Sequence, residues 1–231
     1  MINEWGFGMN GVIGSVLPLA LGVAISVVPI IAAILMLLSP KAKVTGVGFM
    51  LGWIVGIVVA VTAFTLLSSV VPANNSNGSN PVVGTIQLVL GLLLLVVAVR
   101  QWKSRPKAGE TPKLPKWMKA IDSVTFFSAF GLAFLLAAVN PKNLLLAASA
   151  GVSIGTAGLD VGSTVIAIVI FVVIGASTVA VPVIAYLIAP DKLRAPLGKM
   201  REWLARENAL IMALLMLVIG VNLIGKGIGS F

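Results

Sequence analysis

The chain contains no cysteine and no histidine. Without cysteine, disulfide exchange and thiolate metal sites are excluded. Without histidine, the commonest metal ligand and the usual pH-sensitive side chain are also absent. We therefore expect no metal site, no cofactor and no thiol-based redox chemistry, and no residue pattern indicates an enzyme.

Charge is scarce as well. Only 10% of the 231 residues are charged, whereas an ordinary soluble domain has about 25%. Hydrophobic residues make up 59% and the mean hydropathy is +1.11, which indicates an all-α integral membrane protein. The net charge of +9 then indicates cytoplasmic loops and contact with anionic lipid, and we expect no nucleic-acid partner. The first ten residues carry Glu4 and no Lys or Arg, so we expect the first apolar run to stay uncleaved.

Six apolar runs approach or exceed the roughly 20 residues that a spanning helix needs. They predict six transmembrane helices in one membrane domain, residues 1–231, with no soluble domain appended. The polar connections between them include an uncharged turn cluster, a long basic loop and a second charged connection. The runs cover residues 12–38, 44–71, 82–99, 124–159, 161–189 and 208–224, and the three connections cover 72–81, 100–122 and 191–207.

The basic residues predict the orientation. Alternate connections hold 14 of the 16 Lys and Arg residues, and only Lys142 and Lys226 lie elsewhere. The positive-inside rule places these connections in the cytoplasm. We therefore expect a multi-pass protein of the plasma membrane with both termini outside. The 14 are Lys41, Lys43, Arg100, Lys103, Arg105, Lys107, Lys113, Lys116, Lys119, Lys192, Arg194, Lys199, Arg201 and Arg206.

Six spans with both ends outside fit a three-plus-three inverted repeat, with repeat one at about 12–100, a basic linker at about 101–123 and repeat two at about 124–226. An offset of 112 residues matches Pro29 with Pro141 and also Gly46 with Gly158. Interrupted hydrophobic segments at corresponding places in two halves indicate a transporter's binding site. We predict that helices 1 and 4 are interrupted near Pro29 and Pro141.

Length favours these interruptions. Residues 124–159 would span ~54 Å as one helix, and the hydrocarbon core is only about 30 Å thick. Proline removes a backbone donor and breaks a helix. The alternative is a plain span that ends near Asn140, with residues 144–159 forming a surface segment.

Lys142 is the residue around which we place the candidate site. An ionisable residue inside a membrane segment indicates function, because burying its charge in hydrocarbon is costly. No Asp or Glu lies within any apolar run, which argues against divalent-metal export and a carboxylate proton relay. The rival interpretation is snorkelling of the Lys142 stem to the outer headgroups. The candidate substrate-binding residues are Ser26, Pro29, Asn140, Pro141, Lys142, Asn143 and Ser149.

Two further patterns concern helix surfaces. Leu193, Leu197, Met200 and Leu204 recur at helical spacing beside basic residues, which predicts an interfacial helix with its apolar face in lipid; residues 114–121 repeat the pattern. Glycines follow one another at short spacing along the second span, which predicts close helix packing. They are Gly46, Gly48, Gly52 and Gly56.

Several stretches together resemble one family. Residues 17–26 with 29–32 look like its opening signature, and residues 51–53, 139–144 and Trp203-Leu204 with Asn208 look like later parts. The pattern resembles the GAP (Sap-type) glycolipid-addressing proteins of mycobacteria and relatives, within the lysine-exporter (LysE) superfamily. The resemblance covers residues 13–226, and Asn-Pro-Lys-Asn at 140–143 is its most specific part. One departure is Val27, where a second proline or a small residue is expected near that position.

The resemblance implies six spans and movement of cell-envelope glycolipids to the surface, often beside a larger lipid exporter. Membrane lipid, anionic or glycosylated, is then the expected substrate, and a homo-oligomer is allowed. The residues alone leave other functions open, since a cation with amides and hydroxyls suits a phosphate, a carboxylate or a sugar. The alternatives are export of a small solute such as an amino acid, and a non-transporting scaffold for a larger exporter.

Overall fold

The computed structural model describes residues 4–69, 81–104 and 124–231, with side chains described throughout except at 4–7, 205, 206, 208 and 209. This part of the chain is helical and holds no strand. Its helices are α1 (Glu4–Ala24), α2 (Val27–Leu38), α3 (Ala42–Ser69), α4 (Pro81–Lys103), α5 (Phe126–Ala138), α6 (Pro141–Gly155), α7 (Val161–Ile188) and α8 (Pro190–Ile228).

Four helical segments are long and apolar enough to cross a membrane, namely α3, α4, α7 and residues Leu210–Ile228 of α8. Two bent pairs reach the same length and hydropathy together. The α1–α2 pair bends by 48° and the α5–α6 pair by 60°. Counting each pair as one span gives six, and the helices identify a multi-pass membrane protein.

Both predicted interruptions are present. Ala24 corresponds to Ala138 and Val27 to Pro141, an offset of 114 residues in both cases. The two prolines, which are 112 residues apart, are therefore two residues out of register with the helix boundaries. Pro29 lies inside the first turn of α2, where a missing N–H removes no helical hydrogen bond.

Close packing against α3 holds the α5–α6 pair in place. A Cβ atom added at Gly48 or Gly56 would lie 2.6 Å from Phe126 O or from Ala137 Cβ, and one at Gly52 would meet the Phe130 carbonyl. A Cβ at Gly46 would lie 2.7 Å from Leu37 Cδ2 of α2. Close helix packing is thus confirmed for all four predicted glycines, three against α5 and one against α2.

Glycines also join α4 to α8. A Cβ at Gly91 would lie 2.9 Å from the Gly220 carbonyl, and one at Gly220 would lie 3.0 Å from the Gly91 carbonyl. Gly84 and Gly227 form the same reciprocal pair at 2.9 Å. Gly91 follows Gly84 in α4, whereas its partner Gly220 precedes Gly227 in α8. These two helices are therefore antiparallel.

The first half of α8 differs from prediction. Residues 191–207, predicted as a charged connection, continue without interruption into the sixth span as a helix of 39 residues. The apolar face predicted to lie in lipid packs against the protein instead. Leu197 and Leu204 join a buried cluster with Ile30 and Ile34 of α2. The other predicted interfacial segment, 114–121, lies outside the described residues, as do most of the predicted linker and of the polar turn at 72–81.

The helix directions separate the two ends of the bundle. The α2–α3 turn, the end of α4, the start of α5 and the α7–α8 turn lie at one end. We call this the basic end, because it carries Lys41, Lys43, Lys103, Lys192 and Arg194. The opposite end holds the start of α1 and the α6–α7 turn, where Gly8 faces Leu159.

Candidate functional site

The break between α5 and α6 follows from its local sequence. The N–H groups of Val139 and Asn140 both donate to the Leu135 carbonyl, at 2.9 and 3.1 Å, so the Leu136 carbonyl loses its helical partner. The next residue, Pro141, has no N–H to continue the helix. Asn143 fills the gap by donating from Nδ2 to Leu136 O at 2.9 Å.

The new helix α6 begins with a favourable cap. Asn140 is its N-cap, and its side-chain oxygen accepts from the backbone N–H of Lys142 at 3.1 Å. Pro141 occupies the first helical turn, where proline is well tolerated. The Asn-Pro-Lys-Asn sequence therefore ends one helix, starts the next and carries a lysine into the first turn of the new helix.

The break between α1 and α2 is completed by another helix. The Ser26 N–H donates to Val23 O at 3.0 Å, and the Ala24 carbonyl at the end of α1 accepts a hydrogen bond from the Thr178 hydroxyl of α7. Ser26 is the N-cap residue of α2, but its side chain does not cap that helix. It points to Lys142 instead.

A chain of hydrogen bonds joins the two breaks. Lys142 Nζ donates to Ser26 Oγ at 2.8 Å, and Ser26 Oγ donates to Asn143 Oδ1 at 2.9 Å. Lys142 Nζ also contacts the sulfur of Met212, on α8, at 3.1 Å. Lys142 is 7% exposed, Ser26 3% and Asn143 1%. We call these four residues the Lys142 cluster.

The electrostatics of this cluster are unbalanced. The start of α2 and the start of α6 meet here, because Ser26 precedes Val27 and bonds to Asn143 in the first turn of α6. Helix N-termini carry partial positive charge, so a cation is disfavoured there and an anion is favoured. Both described partners of the Lys142 amine are neutral. The cluster therefore favours an anion inside the bundle, and among the described residues no carboxylate contacts the Lys142 amine.

The other predicted site residues take different places. Pro29 is buried in the first turn of α2, whereas Pro141 is exposed. Ser149 is buried, but its hydroxyl donates to Leu145 O of its own helix at 2.8 Å. No described hydrogen bond joins Ser149 to the Lys142 cluster. The structure thus brings Ser26 and residues 140–143 together and leaves Ser149 two helical turns away.

Two contributing residues were not found from the sequence. Thr178 and Met212 lie within apolar runs, where a threonine or a methionine is ordinary and gives no signal of a site. Only the three-dimensional arrangement of α7 and α8 brings them to the breaks.

The alternative of a surface segment after Asn140 is wrong. Leu146, Ala150 and Ile154 of α6 are all buried in the core, and a Cβ at Gly151 would lie 2.5 Å from Phe64 of α3. Snorkelling also disagrees with the geometry, since the Lys142 amine bonds to α8 and to the start of α2 inside the bundle.

A family model described as "Sap, sulfolipid-1-addressing protein" matches residues 16–229. This is nearly the whole chain, and the match confirms the Sap-type resemblance seen in residues 13–226. No curated protein and no solved structure matches the chain. The placement in the lysine-exporter superfamily stays a prediction.

Proposed function

The chain belongs to the family of Sap, sulfolipid-1-addressing proteins, and we propose that it moves an anionic cell-envelope glycolipid across the plasma membrane toward the surface. It acts alone or as the accessory of a larger lipid exporter. The observation that carries this proposal is the buried Lys142 amine, which lies at two converging helix N-termini with only neutral partners.

The chemistry of the cluster fits the anionic part of such a lipid. A lysine ammonium has three donors, and two of the Lys142 donors are engaged by Ser26 and Met212. The third is available to a ligand. A thioether sulfur is a weak acceptor on a flexible side chain, so a sulfate, phosphate or carboxylate oxygen would displace Met212 readily. The cluster then offers the anion Lys142 together with the positive ends of α2 and α6.

We further propose that the fold is a three-plus-three inverted repeat, in which α1–α4 correspond to α5–α8. Two packing relations support it. α3 runs along the broken pair α5–α6, in the same direction. In the other half, α7 runs along α1 in the same direction, with Leu159 opposite Gly8 and Gly175 opposite Val23. Thus α3 packs on the broken span of the second half, and α7 packs on the broken span of the first half. A two-fold axis that relates the two halves requires such a pair of equivalent contacts.

The repeat gives the proposed mechanism a structural basis. Transporters with inverted repeats hold their substrate between the halves at broken helices, and rocking of one half against the other exposes the site to each side in turn. Here the Ser26–Asn143 hydrogen bond joins a break in one half to a break in the other. Rocking of the two halves would stretch this hydrogen bond, and a bound anion would bridge Ser26 and Asn143 while the bond is broken.

A deletion strain tests the function. Without the gene, an envelope glycolipid should be retained inside the cell and depleted from the surface, with amino-acid efflux unchanged. Surface-extractable lipid is compared with total lipid in the wild type, the deletion strain and the strain with the gene restored. Normal surface lipid with impaired amino-acid efflux would identify a small-solute exporter. If both processes stayed normal, a scaffold that is not needed for transport would replace this proposal.

A further inference from the structure

A second basic site lies at the basic end of the bundle, away from the Lys142 cluster. The turn between α2 and α3 meets the turn between α7 and α8 around a cavity of about 390 Å³. Lys41, Lys43 and Arg194 line it, and Asp191 is the one carboxylate in its lining. We call this space the inner cavity.

The inner cavity also receives two helix N-termini. α3 begins at Ala42 and α8 at Pro190, and both residues line the cavity. The first turn of α3 contains no acidic residue, whereas α7 has the N-cap Asp160, whose carboxylate accepts the N–H groups of Gly162 and Ser163. Cations at a helix N-terminus are unfavourable unless an anion accompanies them. The first turn of α8 carries Asp191, so one carboxylate faces three basic side chains and two helix N-termini in the inner cavity. The arrangement therefore favours a further anion.

Tyr186 gives independent evidence of a ligand. It is the only tyrosine in the sequence, it lines the inner cavity and it is 2% exposed. Its hydroxyl makes no hydrogen bond with the described residues, and no fully enclosed side-chain oxygen among them lacks a partner. The hydroxyl therefore keeps some accessible surface, and Tyr186 lines the inner cavity. Buried tyrosine hydroxyls usually have a partner, so a ligand atom is expected beside it.

The surroundings distinguish a lipid from a free ion. Val44 lines the cavity and is 53% exposed, and Ile188, just before α8, is 79% exposed. Both belong to helices that are long and apolar enough to cross a membrane, so we expect these apolar surfaces to face acyl chains at the level where the helices end. A basic pocket between helices at the cytoplasmic surface is a typical site for an anionic lipid headgroup.

We propose that the inner cavity binds the phosphate or sulfate group of an anionic membrane lipid. Lys41, Lys43 and Arg194 balance its charge, Tyr186 donates a hydrogen bond, and Val44 and Ile188 contact its acyl chains. The site is separate from the Lys142 cluster and does not depend on the transport function proposed above.

The single tyrosine makes a direct test feasible. The full-length protein is labelled with 3-fluorotyrosine, purified in maltoside micelles and observed by ¹⁹F NMR, where Tyr186 gives the only protein signal. Dihexanoyl phosphatidylglycerol should shift this signal in a saturable way, and dihexanoyl phosphatidylcholine should not. Inorganic phosphate and sulfate, added separately, should shift it only at much higher concentrations, because they lack acyl chains.

Two matched double variants locate the effect. Lys43→Gln with Arg194→Gln removes two charges from the inner cavity. Lys192→Gln with Lys199→Gln removes two exposed charges of α8 that do not line it. The first pair should raise the half-saturating lipid concentration about 30-fold, since each basic residue beside a bound anionic headgroup adds about fivefold to binding. The second pair should change it little.

Three results would overturn the proposal. These are an unshifted signal, a shift that survives unchanged in the Lys43→Gln/Arg194→Gln protein, and a shift that inorganic phosphate reproduces at the same concentration. All four substituted side chains are exposed, so both variants should fold. Lipid retained by each variant in native mass spectrometry provides a second measurement.

Discussion

At the scale of single residues, Ser26 and Ser149 differ in what their hydroxyls connect. Both are 3% exposed. Ser26 links Lys142 to Asn143 across the two breaks, whereas Ser149 bonds only within its own helix. Because the two serines are equally buried but differ in their hydrogen bonds, they form a matched pair for mutagenesis.

Ser26→Ala should lower the free energy of unfolding by about 1–3 kcal/mol, because it leaves a buried donor and a buried acceptor without partners. Ser149→Ala should have a much smaller effect, since the Leu145 carbonyl keeps its helical partner. Thermal unfolding of both variants in the same detergent measures the difference. Equal losses of stability would mean that the Ser26 bridge does not hold the breaks together.

The sequence predicted part of this site for a clear physical reason. A lysine and two asparagines inside an apolar run are costly in a membrane, and a proline there interrupts the helix, so their presence together indicates a function. Ser26 was found because it lies near the matching proline. Thr178 and Met212 were not found, since neither side chain is costly there, and Ser149 was included although a serine can satisfy its hydroxyl within its own helix.

At the scale of helices, the glycines of α3 decide how closely the broken span can approach. Gly52 faces the Phe130 carbonyl of α5, whereas a Cβ at Gly131 on the same pair of helices would meet nothing within 4 Å. Both glycines lie in the interior of a helix, so they differ in how closely another helix packs against them.

Gly52→Ala should destabilise the protein by about 1–3 kcal/mol, because the added methyl group forces α3 and α5 apart. Gly131→Ala should be neutral or should stabilise it by up to about 1 kcal/mol, since alanine favours the helix. Chemical or thermal unfolding of the two variants tests this. A stable Gly52→Ala protein would contradict the observed close contact.

The helix boundaries show what apolar runs can and cannot predict. The breaks were predicted because the runs are too long for one crossing and contain prolines. Their positions moved by a few residues at Pro29, where a proline in the first turn of α2 does not break the helix. The continuous α8 was missed because charge ends an apolar run but does not end a helix. Asp191, Lys192, Arg194, Lys199 and Glu202 are exposed, whereas Leu197 and Leu204 are buried, as expected of an amphipathic helix.

At the scale of the whole molecule, the orientation in the membrane rests on charge. The described basic residues of the connections gather at the basic end of the bundle, and the positive-inside rule predicts that this end faces the cytoplasm.

Single cysteines introduced into this cysteine-free chain test the orientation. A membrane-impermeant maleimide should label Ser76→Cys in intact cells and should label Ser104→Cys only after the cells are opened. Labelling at position 104 but not at 76 in intact cells would show that the topology is opposite to the predicted one. The inner cavity would then lie on the outside. Labelling of both positions in intact cells would contradict the span count.

The central claim is that Lys142 binds the anion that the protein moves. The measurement is the ratio of surface-extractable to total glycolipid in the deletion strain carrying Lys142→Met, with Lys226→Met as the control. Lys226, in the last turn of α8, is the other lysine outside the basic connections.

Lys142→Met should reach the membrane in normal amounts, because exchanging an unbalanced buried cation for an apolar side chain is neutral or stabilising. Its lipid ratio should nevertheless fall to that of the deletion strain, while Lys226→Met keeps the wild-type ratio. A wild-type ratio with Lys142→Met, at equal protein levels, would contradict the account.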